Sequence, residues 1–324
     1  MNEFSESIKP YLNKKIKKCY VALSGGVDSV VLLHELSKFR QIFDFNLIAI
    51  HINHNIQKES LSWKTVCQKI CHEENIKLIS RTLRKRKYSS SNLEKNLRDE
   101  RYKIFEKVLE KNSLLFMGHH LDDAIETFFL RVMRGSGIEG LTSIPIQRNL
   151  GNGKLVRPFL NFPKSEIIRK AKKDKLKFIQ DPSNKDNSFD RNYLRNIAIP
   201  KLEKRWPAYR KNLSQLIKNL NEANSVLSIH TEYDFNEVKI NKNNILIDKL
   251  KNLSLTRQKN VIFYWVNLNG LNQPNAKVIN LFFNKFMKDN KSPKAKFIWG
   301  SSLKKGSVCI LKTSKKLSIS KLST

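Results

Sequence analysis

Acidic side chains are scarce here: 29 Asp and Glu stand against 61 Lys and Arg, a formal net charge of +32 over 324 residues. A bias toward Lys, Asn and Ile codons would raise lysine, but it explains the shortage of Asp and Glu less well. The imbalance points to a polyanionic partner, because neutralising phosphates releases counterions and drives binding. Residues 206–324 hold 21 basic and 6 acidic side chains, a net +15 that leaves +17 for residues 1–205. The excess is therefore no mere tail. Cysteine is also sparse, with four residues scattered at 19, 67, 71 and 309. That pattern makes no disulfide framework and leads us to expect a reduced, cytoplasmic protein. No C-x-x-C or H-E-x-x-H pair is present, which argues against zinc. No apolar run approaches the roughly 18 residues of a membrane span. The polar N-terminus (Met1-Asn2-Glu3) is unlike a signal peptide. A hydrophobic content of 40% excludes wholesale disorder. No internal repeat is visible, and residues 84–91 are the one low-complexity stretch.

What is present reads as alternating strands and helices. Apolar runs at 19–24, 45–52, 76–83 and 113–117 predict strands. Between and after them, 28–39, 59–74, 92–111 and 122–134 have helical patterning, with apolar residues at 30, 31, 32, 33 and 36 in the first. Such alternation predicts an α/β fold, an open parallel sheet with helices on both faces. Ligands on such sheets sit beyond the strands' carboxyl ends. Ile199-Pro200 and Trp206-Pro207 interrupt the helical pattern, suggesting a catalytic domain over 1–205 and a second over 206–324. The second reads as smaller, mainly helical and basic. A polar helix over 209–228, a helical pair over 255–286 and a β-like end over 296–311 make it an RNA-contacting module without catalytic residues.

Ser24-Gly25-Gly26-Val27-Asp28-Ser29 falls between the first strand and helix. Two glycines allow positive φ and bring backbone N–H groups close to a phosphate. The helix N-terminus adds unpaired amides and its positive end. Ser29 offers a hydroxyl, and Asp28 a ligand for Mg²⁺ held against a pyrophosphate. The spacing matches neither a Walker loop nor the dinucleotide fingerprint. A plain Gly-rich helix cap is the structural alternative.

This hexapeptide resembles the PP-loop of the N-type ATP pyrophosphatases, which cleave ATP between its α and β phosphates and adenylate a substrate oxygen. Further segments resemble one branch, the tRNA(Ile)-lysidine synthases. These are His51-Ile52-Asn53-His54-Asn55; Asn96 to Tyr102, with Arg98 and Arg101; Gly118-His119-His120-Leu121-Asp122-Asp123-Ala124-Ile125-Glu126-Thr127; Arg134-Gly135-Ser136-Gly137; and Asp181-Pro182-Ser183-Asn184 with Asp186, Arg191, Asn192 and Arg195. The resemblance covers residues 20–200 and is loose beyond. Ala124 stands where the family usually has Gln, and Asn55 where it usually has Gly. The chain is also shorter than longer relatives, which puts its mode of tRNA selection in question.

The resemblance implies ATP and Mg²⁺ as cofactors, with free L-lysine and the CAU-anticodon isoleucine tRNA as partners. The chemistry asks for matching groups. Replacing a cytosine O2 requires making it a leaving group, and lysine's ε-amine, with a pKa of about 10.4, must lose a proton before attacking. Carboxylates suit its ammonium groups, and an arginine its carboxylate or a phosphate. Asp122, Asp123 and Glu126 are the candidates, 122 and 126 lying one turn apart; capping of the helix by acidic first-turn residues is the alternative. His51, His54, His119 and His120 read as phosphate or adenine contacts, or as loop hydrogen bonds. Arg98 and Arg101 face one way, toward phosphate or toward ion pairs with Glu94 and Asp99. Arg191 and Arg195 are one turn apart, with Arg134 a further contact. Cys67 and Cys71 read as core packing. A tRNA thiolase would need a reactive cysteine pair at a strand end, and GMP or asparagine synthetase a glutaminase partner. A non-catalytic RNA-binding relative would have no need of an intact loop.

Overall fold

The computed structural model describes residues 2–53, 60–83, 93–142, 144–288, 294–300 and 307–322. Two compact units are formed, Met1–Leu220 and Asn221–Thr324, and the helix Tyr209–Val238 spans the division between them. In the first unit six strands form one sheet: β1 (Lys18–Ala22), β2 (Asn46–Asn53), β3 (Lys77–Thr82), β4 (Ser113–Phe116), β5 (Gln147–Leu150) and β6 (Gly153–Val156). Their order is β3-β2-β1-β4-β6-β5. Every pairing is parallel except the β5–β6 hairpin at the edge.

Alternation explains why short apolar runs become central strands. Cys19, Val21, Leu114 and Phe116 point into one core, and Tyr20, Leu115 and Met117 into the other. Helices α1 (Val27–Ser37), α2 (Ser60–Glu73) and α5 (Lys164–Lys173) supply Leu32, Cys67 and Ile167 to the first core. Helix α3 (Leu93–Val108) supplies Tyr102 and Phe105 to the second. Both faces are covered, as the continuous apolar runs predict. The chain moves from β1 outward to β3, then returns to place β4 on the other side of β1. That reversal opens a crevice at the carboxyl ends of β1 and β4.

The edge hairpin was not legible as strand, although Gly151-Asn152-Gly153 carries a turn signal and Gly151 has φ 55°. Pro200 lies in the first turn of the helix Ile199–Arg205, and a π-helical turn over Leu194–Ala198 precedes it. The second unit contains the expected helical pair, Leu255–Leu268 and Ala276–Leu281. It also holds a five-stranded antiparallel sheet, of which the sequence suggested only one β-like end. Among the described residues no helix is long and apolar enough to cross a membrane.

One buried charge ties α1 to its neighbours. Glu35 is 0% exposed, accepting from Ser5 Oγ at 2.6 Å and Lys38 Nζ at 2.6 Å, with Lys170 Nζ of α5 at 3.1 Å. Burial alone would push this carboxyl up, but bonds from Lys38, Ser5 and Lys170 outweigh it and hold the pKa at about 2. The depressed pKa means that Glu35 contributes stability above its unfolded pKa of about 4.5, lost as pH falls toward 2. The contribution is on the order of 3 kcal/mol. Chemical denaturation across that window should therefore find stability falling less steeply in Glu35→Gln than in the parent; equal slopes would remove Glu35 from the acid response.

Candidate functional site

β1 ends at Ala22, and the next residues stay in register long enough for Leu23 N to donate to Ile50 O at 2.9 Å. The chain then turns at Gly25, whose φ is 88°. A Cβ there would sit 2.5 Å from Ile179 Cδ1, because Ile179 N donates to Gly25 O at 2.8 Å and closes the loop from outside. Gly26 has an ordinary φ of −71° and forms the N-cap of α1 without a side-chain hydrogen bond. The first amides of α1 thus face the crevice with no side chain capping them, as anion binding requires. Ser29 is engaged inside the loop, donating from Oγ to Gly26 O at 2.9 Å and accepting from Ser24 N at 3.2 Å. Ser24 Oγ in turn accepts from Gly26 N at 3.2 Å.

His51, at the end of β2, is buried and donates from Nδ1 to Leu23 O at 3.0 Å, so it braces the loop from below. Burial pushes its pKa down, and its buried Nε2 has no partner among the described residues. Cys67 Sγ lies 3.5 Å from His51 Nδ1. Burial raises the Cys67 thiol to about 12 and Cys71 to about 11, so both are inert core thiols, as expected from their place in α2. His54 lies outside the described residues.

The second half of the site comes from the end of β4. A Cβ on Gly118 would fall 2.8 Å from the carbonyl carbon of Asp28, so only glycine lets the exit of β4 touch the first turn of α1. Helix α4 (Leu121–Met133) follows. His120 caps it: its Nδ1 accepts from Asp123 N at 3.4 Å while Asp123 Oδ2 accepts from His120 N at 3.1 Å. That acceptor role assigns the imidazole proton to Nε2, which faces Asp123 Oδ2 at 3.4 Å and Asp28 Oδ2 at 3.8 Å. Asp28 is pushed up by burial, against the pull of His120 and Lys164, whose Nζ lies 3.9 Å away. Among the described residues its buried Oδ1 has no hydrogen-bond partner. An orphaned carboxylate oxygen beside uncapped amides fits a cation that accompanies a polyphosphate.

The three acidic residues of α4 have different surroundings. Asp122 accepts from Lys164 N at 2.8 Å and from Arg210 Nε at 3.1 Å, so it caps α5 and holds the start of the helix Tyr209–Val238. Burial pushes Asp123 up, but His120, Arg191 and His119 outweigh it and hold it at about 2. Glu126 is 1% exposed, with Arg191 Nε on Oε2 at 2.8 Å and Arg195 Nε on Oε1 at 2.7 Å. Arg191 and Arg195 also reach Asp123 Oδ1, at 3.3 and 3.5 Å. Asn192 and Asn196 use the adjacent face to bind the carbonyls of Ser183, Asp186 and Asn184. The Asp181–Asp186 segment is thereby the buttress of the two arginines.

His119 separates this acidic cluster from a basic one. Burial pushes its pKa down to about 3, with Asp123 opposing, so it is neutral and its Nδ1 accepts from Arg157 Nε at 3.3 Å. Arg98 and Arg101 of α3 lie over the Tyr102 ring, 5.5 and 5.9 Å from its centroid. Arg134 is the C-cap of α4, about 18 Å of helix from the acidic end, and does not join the cluster. Arg157, Lys164 and Arg210 were missed. A charge inside the apolar run Leu155-Val156-Arg157-Pro158-Phe159 is a signal for the first. Nothing local marks the other two.

Comparison with known proteins places these features in a lineage. A family model for the PP-loop domain matches residues 1–202. A tRNA(Ile)-lysidine synthase from Legionella pneumophila is 37% identical over 264 residues, covering 82% of this chain and 61% of that protein. The one from Buchnera aphidicola of Acyrthosiphon pisum is 37% identical over 296 residues, covering 89% and 65%. The chain thus spans less than two thirds of the length of these relatives. Among solved structures, the tRNA thiolase NcsA from Methanococcus maripaludis matches with a TM-score of 0.53 at 21% identity, covering 68% of this chain and 78% of that one. That likeness speaks for the fold alone.

The two glycines of the loop make different demands. Gly25→Ala should lose roughly 1–2 kcal/mol of stability from left-handed strain, and nucleotide binding with it. Gly26→Ala, which has conformational room, should keep the stability of the parent. Thermal unfolding of both variants is the check, and equal melting temperatures would refute the assignment of strain to Gly25.

Proposed function

The chain belongs to the PP-loop domain family, and on that premise we propose that it ligates lysine to C2 of the wobble cytidine of the CAU-anticodon isoleucine tRNA at the expense of ATP. The observation that carries this reading is the junction of two half-sites around His120. An anion-binding helix N-terminus with Asp28 lies on one side, and a carboxylate–arginine cluster that suits an amino acid lies on the other.

ATP's phosphates would lie against residues 24–29, with Asp28 holding Mg²⁺ through its unpartnered oxygen. Bound there, Mg²⁺ would neutralise charge building on the pyrophosphate. In the first step cytosine O2 attacks the α-phosphorus, a P–O bond forms, and the bond to the bridging oxygen breaks to release pyrophosphate. In the second the deprotonated ε-amine attacks C2, the C2–O bond breaks, and AMP leaves. Free lysine carries two ammonium groups and one carboxylate, which suit the carboxylates of Asp123 and Glu126 and the guanidinium of Arg191 or Arg195. Lysine would enter by ion-pair exchange, its ammonium groups replacing guanidinium on the carboxylates and its carboxylate taking up the arginine released. Asp122 supports this cluster by fixing α4 against α5. The basic 206–324 region, with its net +15, would contribute tRNA affinity. The high thiol pKa values of Cys67 and Cys71 weigh against a thiolase. The expected compartment is the reduced cytoplasm.

Lysine at C2 alters the pairing edge of the base from G to A, so the modified tRNA would read AUA instead of AUG. Incubation with ATP, lysine and the CAU transcript should yield a single nucleoside heavier by one dehydrated lysine, seen by mass spectrometry. Sulfur incorporation, or an unmodified cytidine, would overturn the reading. A folded Asp28→Ala protein should release no pyrophosphate. Glu126→Gln should raise the lysine requirement roughly 10- to 150-fold and the ATP requirement far less, the loss expected for one charged hydrogen bond.

A further inference from the structure

We propose that a second anion site, built from Arg98, Arg131, Arg148 and Arg157 around Tyr102, receives the phosphodiester of the RNA chain beside the reacting base. This rests on the RNA-modifying function proposed above and deepens it.

Arg157 is 2% exposed, at the carboxyl end of β6, and all its described acceptors are neutral. Nη1 donates to Pro145 O at 2.7 Å, Nη2 to Tyr102 Oη at 3.2 Å, and Nε to neutral His119 at 3.3 Å. Arg148 of β5 lies 4.9 Å from the Tyr102 ring centroid, and Arg98 lies 5.5 Å from it. Arg131 of α4 donates to Thr142 O, and is near enough to Arg98 for the two to repel. Among the described residues none of these four arginines has a carboxylate within ion-pair distance, in a chain where the half-buried Arg191 and Arg195 grip acids. Four neighbouring guanidinium groups with no described counter-charge repel one another, and burial of Arg157 deepens the cost. Such an arrangement is retained where an external anion completes it.

The shape of the cluster favours a chain over a single small anion. It runs from exposed Arg148 on the edge hairpin and exposed Arg98 on α3, through half-buried Arg131, to fully buried Arg157. Arg157 touches His119, whose neighbour His120 faces Asp28 and Asp123. A run of phosphates entering along this gradient would bring the nucleotide between them to the junction of the two half-sites. A free amino acid has one carboxylate and would leave most of the gradient unmatched.

The test is binding of the CAU transcript to the full-length protein, measured against salt concentration, for the parent, Arg148→Ala, Arg98→Gln and Arg131→Gln. Each variant should weaken RNA binding roughly ten-fold. Each should also shallow the log–log salt slope by about 0.7–0.9, one phosphate contact's worth. Lys111→Ala, exposed just ahead of β4 at the opposite end of the sheet, should leave the slope within error. Arg157→Lys keeps the charge and should retain more affinity than Arg157→Gln, provided circular dichroism finds both folded. A raised lysine requirement with unchanged RNA affinity would overturn the proposal, placing a carboxylate in the pocket. An unchanged slope in the three surface variants would also overturn it. Because the readout is binding, a protein that makes lysidine but has no slope change refutes this site alone. A slope change without lysidine refutes only the function proposed above.

Discussion

Glu126 is a carboxylate buried to 1% exposure, and such a group stays ionised only if protein donors replace water. Arg191 and Arg195 do this from successive turns, and they can reach only because the 190–205 segment closes against α4. The same two guanidinium groups also reach Asp123, which shares His120 with Asp28. A single requirement, satisfying one buried charge, thus draws the end of β4, the end of β1 and a segment more than 60 residues downstream to one place. Leaving Glu126 unpaired would cost roughly 3–5 kcal/mol, a large share of a typical domain's stability.

Glycine sets the distances in that assembly. Gly25 accepts the left-handed turn that lets Ile179 lie against the loop, and Gly118 permits backbone contact with Asp28. Elsewhere the crevice is shaped by histidines that are fixed by hydrogen bonds. His51 donates one proton to a carbonyl, His120 accepts at Nδ1 to cap a helix, and His119 accepts from a guanidinium. His119 divides the electrostatics: carboxylates with their arginines lie on one side, and on the other lie Arg98, Arg131, Arg148 and Arg157, which among the described residues pair with no carboxylate. A zwitterion would suit the first, and the proposed phosphate chain the second.

Much of the fold was legible in local pattern. Strands buried on both faces must be short and apolar throughout, and the runs near 19–24, 45–52 and 113–117 met that condition, while the edge strand near 76–83 was marked by its apolar start alone; all four lie within two residues of the strands at each end. The β5–β6 hairpin was not, because its exposed edge strand Gln147–Leu150 has no apolar alternation to read. The sheet of the second unit escaped for a related reason: its strands Lys239–Asn241 and Asn244–Leu246 are three residues each, too short to display a period.

The amino-acid order by itself determined the sheet, the loop at the end of its first strand and the residue types of the site, since these depend on periods of two and 3.6 and on glycine's freedom at one turn. Tertiary structure alone decided how those residues are used. Asp122 and Glu126 are equivalent by spacing, yet one caps a helix with Lys164 N and the other is buried between two arginines. Arg157, invisible to any helical or loop motif, became a neighbour of His119 because β6 pairs with β4. Side-chain roles follow from which partner arrives to replace water, and that partner comes from a distant part of the chain.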